Sequence, residues 1–204
     1  MAGGKRARAK RKRVGLVLGA GGTLGAAWTI GGLAAVEERI GRPLAEVDVI
    51  VGTSAGSIVA AALRHGFIPA ELVAHQLGDR PTRIGDRRYV DGGVRSAASL
   101  DLLHDQGLDE VFVLAPMASR HTDRPVRPSW RAERAVRQAF AAQLAGERCK
   151  VERAGTPVTV VMPGPADLTA IGLNLMDGRR REQVLRTAQV TVAAALRRAG
   201  PVAA

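Results

Sequence analysis

Cysteine is almost absent from the chain, which has only Cys149 among its 204 residues. A single cysteine cannot form a disulfide within the chain, which excludes a disulfide-stabilised small scaffold. A lone thiol suits a reducing compartment, so the cytoplasm is the expected location. Aromatic residues make up only 3% of the sequence, so alanine, valine, leucine and glycine have to supply the core. The length is sufficient for one domain with a sizeable core.

Positive charge dominates the ionisable residues and gives a formal net charge of +11. Seven of the eleven surplus charges lie in KRARAKRKR, Lys5–Arg13. Such runs rarely pack and usually remain hydrated, so we predict a disordered basic arm over residues 1–13 and a single domain over residues 14–204. Attachment of Lys5–Arg13 to an anionic membrane surface is the alternative, and it would make the protein peripheral to the membrane. No specific nucleic-acid partner is expected.

An uncharged run, VGLVLGAGGTLGAAWTIGGLAAV, covers residues 14–36 and has the length of a membrane-spanning helix. Seven glycines interrupt it, and they cluster in GAGG directly after a short Val/Leu segment. A spanning helix would be richer in leucine and isoleucine. The run therefore predicts a strand that ends in a glycine turn and continues into a helix.

Short apolar strands alternate with helical segments along the whole chain, which predicts an α/β fold with three α/β/α layers and a mainly parallel central sheet. Chemistry in such sheets lies beyond the carboxyl ends of the strands, where GAGGTLG, GTSAG, DGG and APMAS all fall. The predicted strands cover residues 14–18, 47–52, 87–93, 110–116 and 158–163, and the predicted helices cover 24–38, 57–64, 71–77, 99–107, 130–153 and 179–198.

The turn GTSAG has the G-x-S-x-G form, in which a serine occupies the strained tip between a strand and a helix. Gly52 and Gly56 lack side chains, which permits the sharp reversal of a nucleophile elbow. The helix that follows would direct its positive end toward the Ser54 oxygen. A structural turn that happens to contain a serine is the alternative, but the fitting strand and helix favour Ser54 as a nucleophile.

The turn GAGGTLG, residues 19–25, suggests a dinucleotide fingerprint, but that spacing requires a glycine where Leu24 stands. The second predicted strand also ends without the acidic residue that would bind a ribose. With a dinucleotide site excluded, the glycine turn still offers a series of backbone N–H groups at the start of a helix, which can bind a small anion. Beside a nucleophilic serine that anion is the oxyanion of acyl transfer, and the amides of Ala20, Gly21 and Gly22 are the predicted donors.

A histidine is missing from the place where a Ser–Asp–His triad needs one, after the last strand. The better candidate base is Asp91 in YVDGG, because a short strand would place it at the same edge of the sheet. A carboxylate is a weak base in water, but a water-excluded site raises its pKa and makes a dyad with Ser54 usable. An ordinary Asp-Gly turn is the alternative. The four histidines are His65, His75, His104 and His121, and only His121 follows a strand end.

The motifs LVLGAGGTLG, GTSAG and YVDGG, in that order, resemble those of the patatin-like phospholipases. These are lipid acyl hydrolases with a Ser–Asp dyad, no catalytic histidine and a glycine-rich oxyanion loop. The resemblance implies Ser54 as nucleophile, Asp91 as base and the Gly21–Gly22 region as oxyanion hole. It covers most of the chain from Val14 onward, and the tail GLNLMDGRRREQVLRTA also looks like bacterial members.

Two features depart from the family pattern. The residue before the last glycine of the oxyanion loop is often basic, and here it is Leu24. The segment between Ser54 and Asp91 is shorter than usual, so we expect a reduced lid and acyl-pocket wall and a more open site.

The predicted function is a serine acyl hydrolase, a lipase or phospholipase type of esterase that uses a Ser–Asp dyad. No residues show metal-ligand spacing, so neither a metal nor another cofactor is expected. The alternative is a catalytically weak or inactive scaffold of the same fold, which binds a membrane or anions through its basic arm.

Overall fold

The computed structural model describes residues 11–77, 96–123 and 125–199. Four strands and six α-helices alternate along them. The strands are β1 Val14–Leu18, β2 Val49–Gly52, β3 Glu110–Leu114 and β4 Val158–Val161, and the helices are α1 Gly22–Ile40, α2 Ala55–Arg64, α3 Pro69–Leu77, α4 Pro128–Arg153, α5 Pro165–Ile171 and α6 Arg181–Arg198.

The four strands form one parallel sheet in the order β2-β1-β3-β4. The register pairs Leu18 with Gly52 on one side and with Leu114 on the other, so three strands end at the same level. The turns after β1, β2 and β3 therefore lie side by side at the carboxyl edge. This confirms the predicted parallel sheet and places GAGGTLG, GTSAG and APMAS together.

Alternate residues of each strand face opposite layers of helices. Leu16 and Leu18 of β1 pack into a core formed with α1, α2, α3, α5 and α6. Val17 points to the other face, where α4 supplies the cover. Helices thus lie on both faces of the sheet, and the three-layer α/β/α prediction is confirmed.

The uncharged run over residues 14–36 is divided between β1, a glycine turn and α1, as predicted. Both elements are buried inside the domain, which explains why no charge interrupts the run. In the described part of the chain, no helix combines the length and the hydropathy that crossing a bilayer requires.

Two elements differ from the sequence-based prediction, and a third cannot be compared. The predicted helix over residues 99–107 is only a 3-10 helix, Leu100–Leu103, because the left-handed φ angles of Ser99, 55°, and Gly107, 58°, limit the helical backbone on both sides. Helix α5 was not predicted, because seven residues between Gly164 and Gly172 resemble a loop. The predicted strand over residues 87–93 lies outside the described residues.

The last residues of the basic run contact the domain. The backbone N–H of Arg13 donates to Asp109, and its guanidinium donates to the Gly107 carbonyl at 3.0 Å. Arg11 forms an ion pair with Asp48 at 3.3 Å. Arg11 and Arg13 therefore attach to the amino edge of the sheet, while residues 1–10 lie outside the described part.

Candidate active site

Ser54 lies at the tip of the turn between β2 and α2. Its backbone has φ 52° and ψ −122°, and Ser54 is one of two described non-glycine residues with a positive φ. A residue other than glycine held in this region costs of the order of 1–3 kcal/mol and persists only where the surroundings enforce it. This is the strained strand-to-helix turn that G-x-S-x-G predicted.

The Ser54 side chain does not cap the helix that follows it. Serine at a helix N-cap normally has extended backbone angles and accepts a hydrogen bond from an N–H of the first turn. Ser54 occupies the N-cap position of α2 but forms no side-chain capping bond. Instead, the Ser57 hydroxyl donates to the Ser54 carbonyl at 2.6 Å. The Ser54 hydroxyl is therefore not committed to helix capping, which argues against a purely structural role.

The two glycines of GTSAG are required by close packing. A Cβ on Gly52 would lie 2.5 Å from the Ser57 Cα, inside the elbow itself. A Cβ on Gly56 would lie 2.1 Å from the Leu18 carbonyl oxygen and 2.8 Å from that of Gly19. Only glycine fits at either position, so the elbow closes on itself and presses against the end of β1.

The glycine loop after β1 combines occupied and free amides. The N–H of Ala20 donates to the Ala97 carbonyl at 2.8 Å, so this amide is not free to bind an oxyanion, contrary to the prediction. The N–H groups of Gly21 and Gly22 donate to no acceptor in the described part of the chain. Gly22 has φ 58° and opens α1. Two of the three predicted donors therefore remain available.

The loops around the glycine turn form its walls. Pro116, two residues after the end of β3, would lie 3.0 Å from a Cβ on Gly21. On the other side, the Leu175 carbonyl accepts the Leu24 N–H at 2.9 Å, and the Met176 sulfur would be 2.9 Å from a Cβ on Gly22. These contacts come from distant parts of the sequence and fix the path of the loop.

Two helix N-termini meet at this edge of the sheet. Helix α1 begins at Gly22 and α2 begins at Ala55, directly after the paired strands β1 and β2. Each helix N-terminus carries partial positive charge and unpaired N–H groups, which attract an anion. The N–H of Ala55 belongs to this set, although the sequence analysis did not select it. The position directly after the G-x-S-x-G serine was the signal that could have identified it.

The described part of the chain resumes at Ser96, and the residues that follow lie beside both the glycine loop and the serine elbow. The Ala97 carbonyl holds the Ala20 amide, and the Ser99 hydroxyl lies 3.4 Å from that of Thr53, next to Ser54. Asp91, the predicted base, lies outside the described residues, so its distance from Ser54 is not given by the structure.

The histidines whose side chains the structure describes lie away from Ser54. His65 follows the last residue of α2, about 15 Å along the helix from the serine. His104 precedes β3 at the amino edge of the sheet and pairs with Asp105 at 2.7 Å. His75 lies in α3, and the structure does not describe its side chain.

His121 follows β3 but lies on the β4 side of the sheet. Its backbone N–H donates to Ser119, whose hydroxyl donates to the Pro163 carbonyl after β4. Because β1 and β3 separate β4 from β2, the ends of β2 and β4 are about 14 Å apart. His121 instead lies 3.8 Å from Asp123, whose pKa is lowered by the hydrogen bond from Arg134. It is not placed to accept the Ser54 proton.

Comparison with known proteins identifies one family. Residues 16–79 match the family model described as patatin-like phospholipase. The matched range runs from β1 through α3 and contains both the glycine loop and the serine elbow. The predicted resemblance is thereby confirmed over these residues. No curated protein matches the chain.

Proposed function

We propose that this protein is a serine acyl hydrolase that cleaves carboxylic esters of lipids, because residues 16–79 match the family model described as patatin-like phospholipase. The observation that carries the proposal is the conformation of Ser54, a strained N-cap residue whose side chain leaves the helix uncapped. In the proposed reaction the Ser54 oxygen attacks the acyl carbonyl and forms a tetrahedral intermediate. The alcohol leaves, and water then releases the fatty acid from the acyl-enzyme.

Asp91 is the proposed base that accepts the Ser54 proton. Two observations support this assignment without locating the residue. None of the histidine side chains that the structure describes lies near Ser54, and the chain five residues after Asp91, at Ser96, lies beside both motifs. The role requires that the Asp91 carboxylate is shielded from water, because burial raises its basicity, and the short segment between Ser54 and Asp91 limits this shielding.

The oxyanion would be held by backbone amides. Gly21 and Gly22 are the proposed donors from the glycine loop, and Ala55 is the proposed donor from the elbow. The positive ends of α1 and α2 add to the stabilisation, because both helices begin at this edge. Ala20 is left out, since its N–H is already bonded to Ala97.

Ester hydrolysis by purified variants tests this proposal. A p-nitrophenyl ester of a medium-chain fatty acid reports turnover directly. Ser54→Ala is expected to lower kcat/KM by at least about 10³-fold, and Asp91→Asn by about 10²–10⁴-fold. Ser129→Ala and Asp105→Asn are matched controls, because both residues are exposed and neither belongs to one of the motifs.

Three outcomes would contradict the proposal or one part of it. Folded wild-type protein without activity on any ester would favour the alternative, an inactive scaffold. Activity that survives in Ser54→Ala would reject Ser54 as nucleophile. Esterase activity that is lost in Ser54→Ala but retained in Asp91→Asn would keep Ser54 as the nucleophile and reject Asp91 as the base.

A further inference from the structure

A buried carboxylate from the opposite layer reaches the segment that supports the site. Glu147 belongs to α4, on the face of the sheet away from α1 and α2, and only 7% of it is exposed. One carboxylate oxygen accepts the Ser96 hydroxyl at 2.7 Å, and the other accepts the Leu100 N–H at 2.9 Å. Glu147 thus holds both ends of the segment 96–100.

The direction of the Ser96 hydroxyl is fixed by its other bonds. Its oxygen accepts the N–H of Ala98 at 3.2 Å and that of Ser99 at 2.8 Å. Both lone pairs of the oxygen are then occupied, so its hydrogen has to be donated outward, and Glu147 receives it. Both oxygens of Glu147 therefore have to be acceptors, one for the Ser96 hydroxyl and the other for the Leu100 N–H.

The turn held in this way contacts both catalytic motifs. The Ala97 carbonyl accepts the Ala20 N–H of the glycine loop at 2.8 Å. The Ser99 hydroxyl lies 3.4 Å from that of Thr53, the residue before Ser54. Ala20 directly precedes Gly21, so a shift of the turn would change the direction of the proposed oxyanion donors.

We propose that Glu147 is a positioning residue, which fixes the 96–100 turn and thereby sets the glycine loop and the serine elbow in their relative geometry. The inference rests on the proposed function, because it concerns the same site. Glu147 acts through Ser96 and Ala97 and does not contact the reacting atoms. Misplacement of catalytic groups by about 1 Å can lower a rate by about 10²-fold, so loss of this support should reduce turnover strongly.

Glu147→Gln is the sharpest substitution because it keeps the shape of the side chain and removes one acceptor. Ser96 and Leu100 donate to different oxygens of Glu147, and the glutamine amide oxygen replaces only one of them. The NH₂ group takes the place of the other oxygen and would face a donor. Ser96→Ala removes the same link from the other side and serves as the second variant. Glu152→Gln is the matched control, since Glu152 lies on the same helix and, within the described part of the chain, its side chain pairs with Arg148 alone on the surface.

Two measurements separate this inference from the proposed function. Hydrogen–deuterium exchange of the peptide that contains Ala20 reports the positioning whether or not the protein is an enzyme. In Glu147→Gln and Ser96→Ala, the Ala20 amide is expected to exchange at least about tenfold faster, because its acceptor is released. Hydrolysis of the p-nitrophenyl ester should show a kcat reduced by about 10–10²-fold with KM changed by less than about threefold.

The double variant supplies a further test. If Glu147 and Ser96 act as one unit, the Glu147→Gln/Ser96→Ala protein should lose no more kcat than the single variants lose. If the wild-type protein has no esterase activity but the Ala20 amide exchanges faster in the two variants, the proposed function is rejected and the positioning role of Glu147 is kept. Unchanged Ala20 exchange, or an unchanged kcat in an active enzyme, would overturn the inference.

Discussion

Gly56 lies directly against the end of β1, so that a Cβ at this position would come within 2.1 Å of the Leu18 carbonyl oxygen. Gly56 belongs to the serine elbow, and Leu18 precedes the glycine loop. Their contact joins the proposed nucleophile and the proposed oxyanion donors through backbone atoms alone. Neighbouring backbone cannot move away easily, because Leu18 also pairs with Gly52 and Leu114 in the sheet.

Gly56→Ala is therefore expected to destabilise the protein and to abolish ester hydrolysis. The added methyl group has no space unless β1 and the elbow separate, and overpacking of this kind costs about 1–3 kcal/mol or more. Gly146→Ala is the matched control, because Gly146 lies in α4 and a Cβ there would meet nothing within 4 Å. It should stabilise the protein by about 0.5–1 kcal/mol. Urea unfolding of both variants checks the contrast, and equal stability would contradict the packing described.

Asp48 stabilises the amino edge of the sheet in a pH-dependent way. Its carboxylate accepts the Val14 N–H and pairs with Arg42, both at 2.8 Å. Burial alone would raise the pKa of Asp48, but the hydrogen bonds from Val14, Arg42 and Arg11, together with the charge of Arg42, outweigh it. The pKa therefore lies below its ordinary value of 3.8.

A carboxyl group whose pKa is depressed by folding stabilises the protein above its unfolded pKa, and this stabilisation is lost as the pH falls through the folded pKa. Asp48→Asn should then cost about 1–2 kcal/mol at about pH 7 and less at about pH 2.5, because the ionic part of the stabilisation is lost as the pH falls below 3.8 and through the lowered pKa. Urea unfolding at the two pH values measures the difference. Asp105→Asn, at an exposed position, should show no comparable change. A cost that stays constant with pH would refute the ionic role of Asp48.

The basic arm enters the domain at the edge opposite to Ser54. Arg13 precedes the amino end of β1, whereas Ser54 follows the carboxyl end of the parallel strand β2. Deletion of residues 2–10 should therefore leave hydrolysis of a soluble ester within about twofold of wild type, since the motifs are untouched. The deletion stops before Arg11, because Arg11 and Arg13 contact the domain.

The same deletion tests the proposed membrane attachment. If the basic arm attaches to membranes, vesicles that contain phosphatidylserine should bind the full chain more strongly than the shortened chain, and this difference should decrease at high salt. Unchanged vesicle binding would exclude the arm as a membrane tether.

The local parts of the site could be predicted from the sequence, because each is encoded within a few neighbouring residues. The alternation of strands and helices fixed the carboxyl edge, and G-x-S-x-G placed Ser54 at its tip. The contacts that assemble the site could not be predicted in this way. Ala97 and Pro116 meet the glycine loop from distant parts of the chain, and neither belongs to a motif with a recognisable spacing.

The Ala20 amide illustrates the same limit. From sequence, Ala20, Gly21 and Gly22 are equivalent donors, since all three follow β1. The structure distinguishes them because the Ala97 carbonyl occupies the first. The role of Glu147 could not be predicted from the sequence either, because nothing distinguishes it there from the other acidic residues of a long polar helix.

The central claim is that Ser54 is an activated nucleophile, and covalent labelling tests it most directly. Folded protein is treated with a fluorophosphonate, digested and analysed by mass spectrometry to locate the phosphonyl adduct. We predict one adduct, on the Ser54 hydroxyl, and none in Ser54→Ala, while Ser129→Ala is labelled like the wild type. Absence of an adduct on the folded wild-type protein, or an adduct that persists in Ser54→Ala, would contradict the claim.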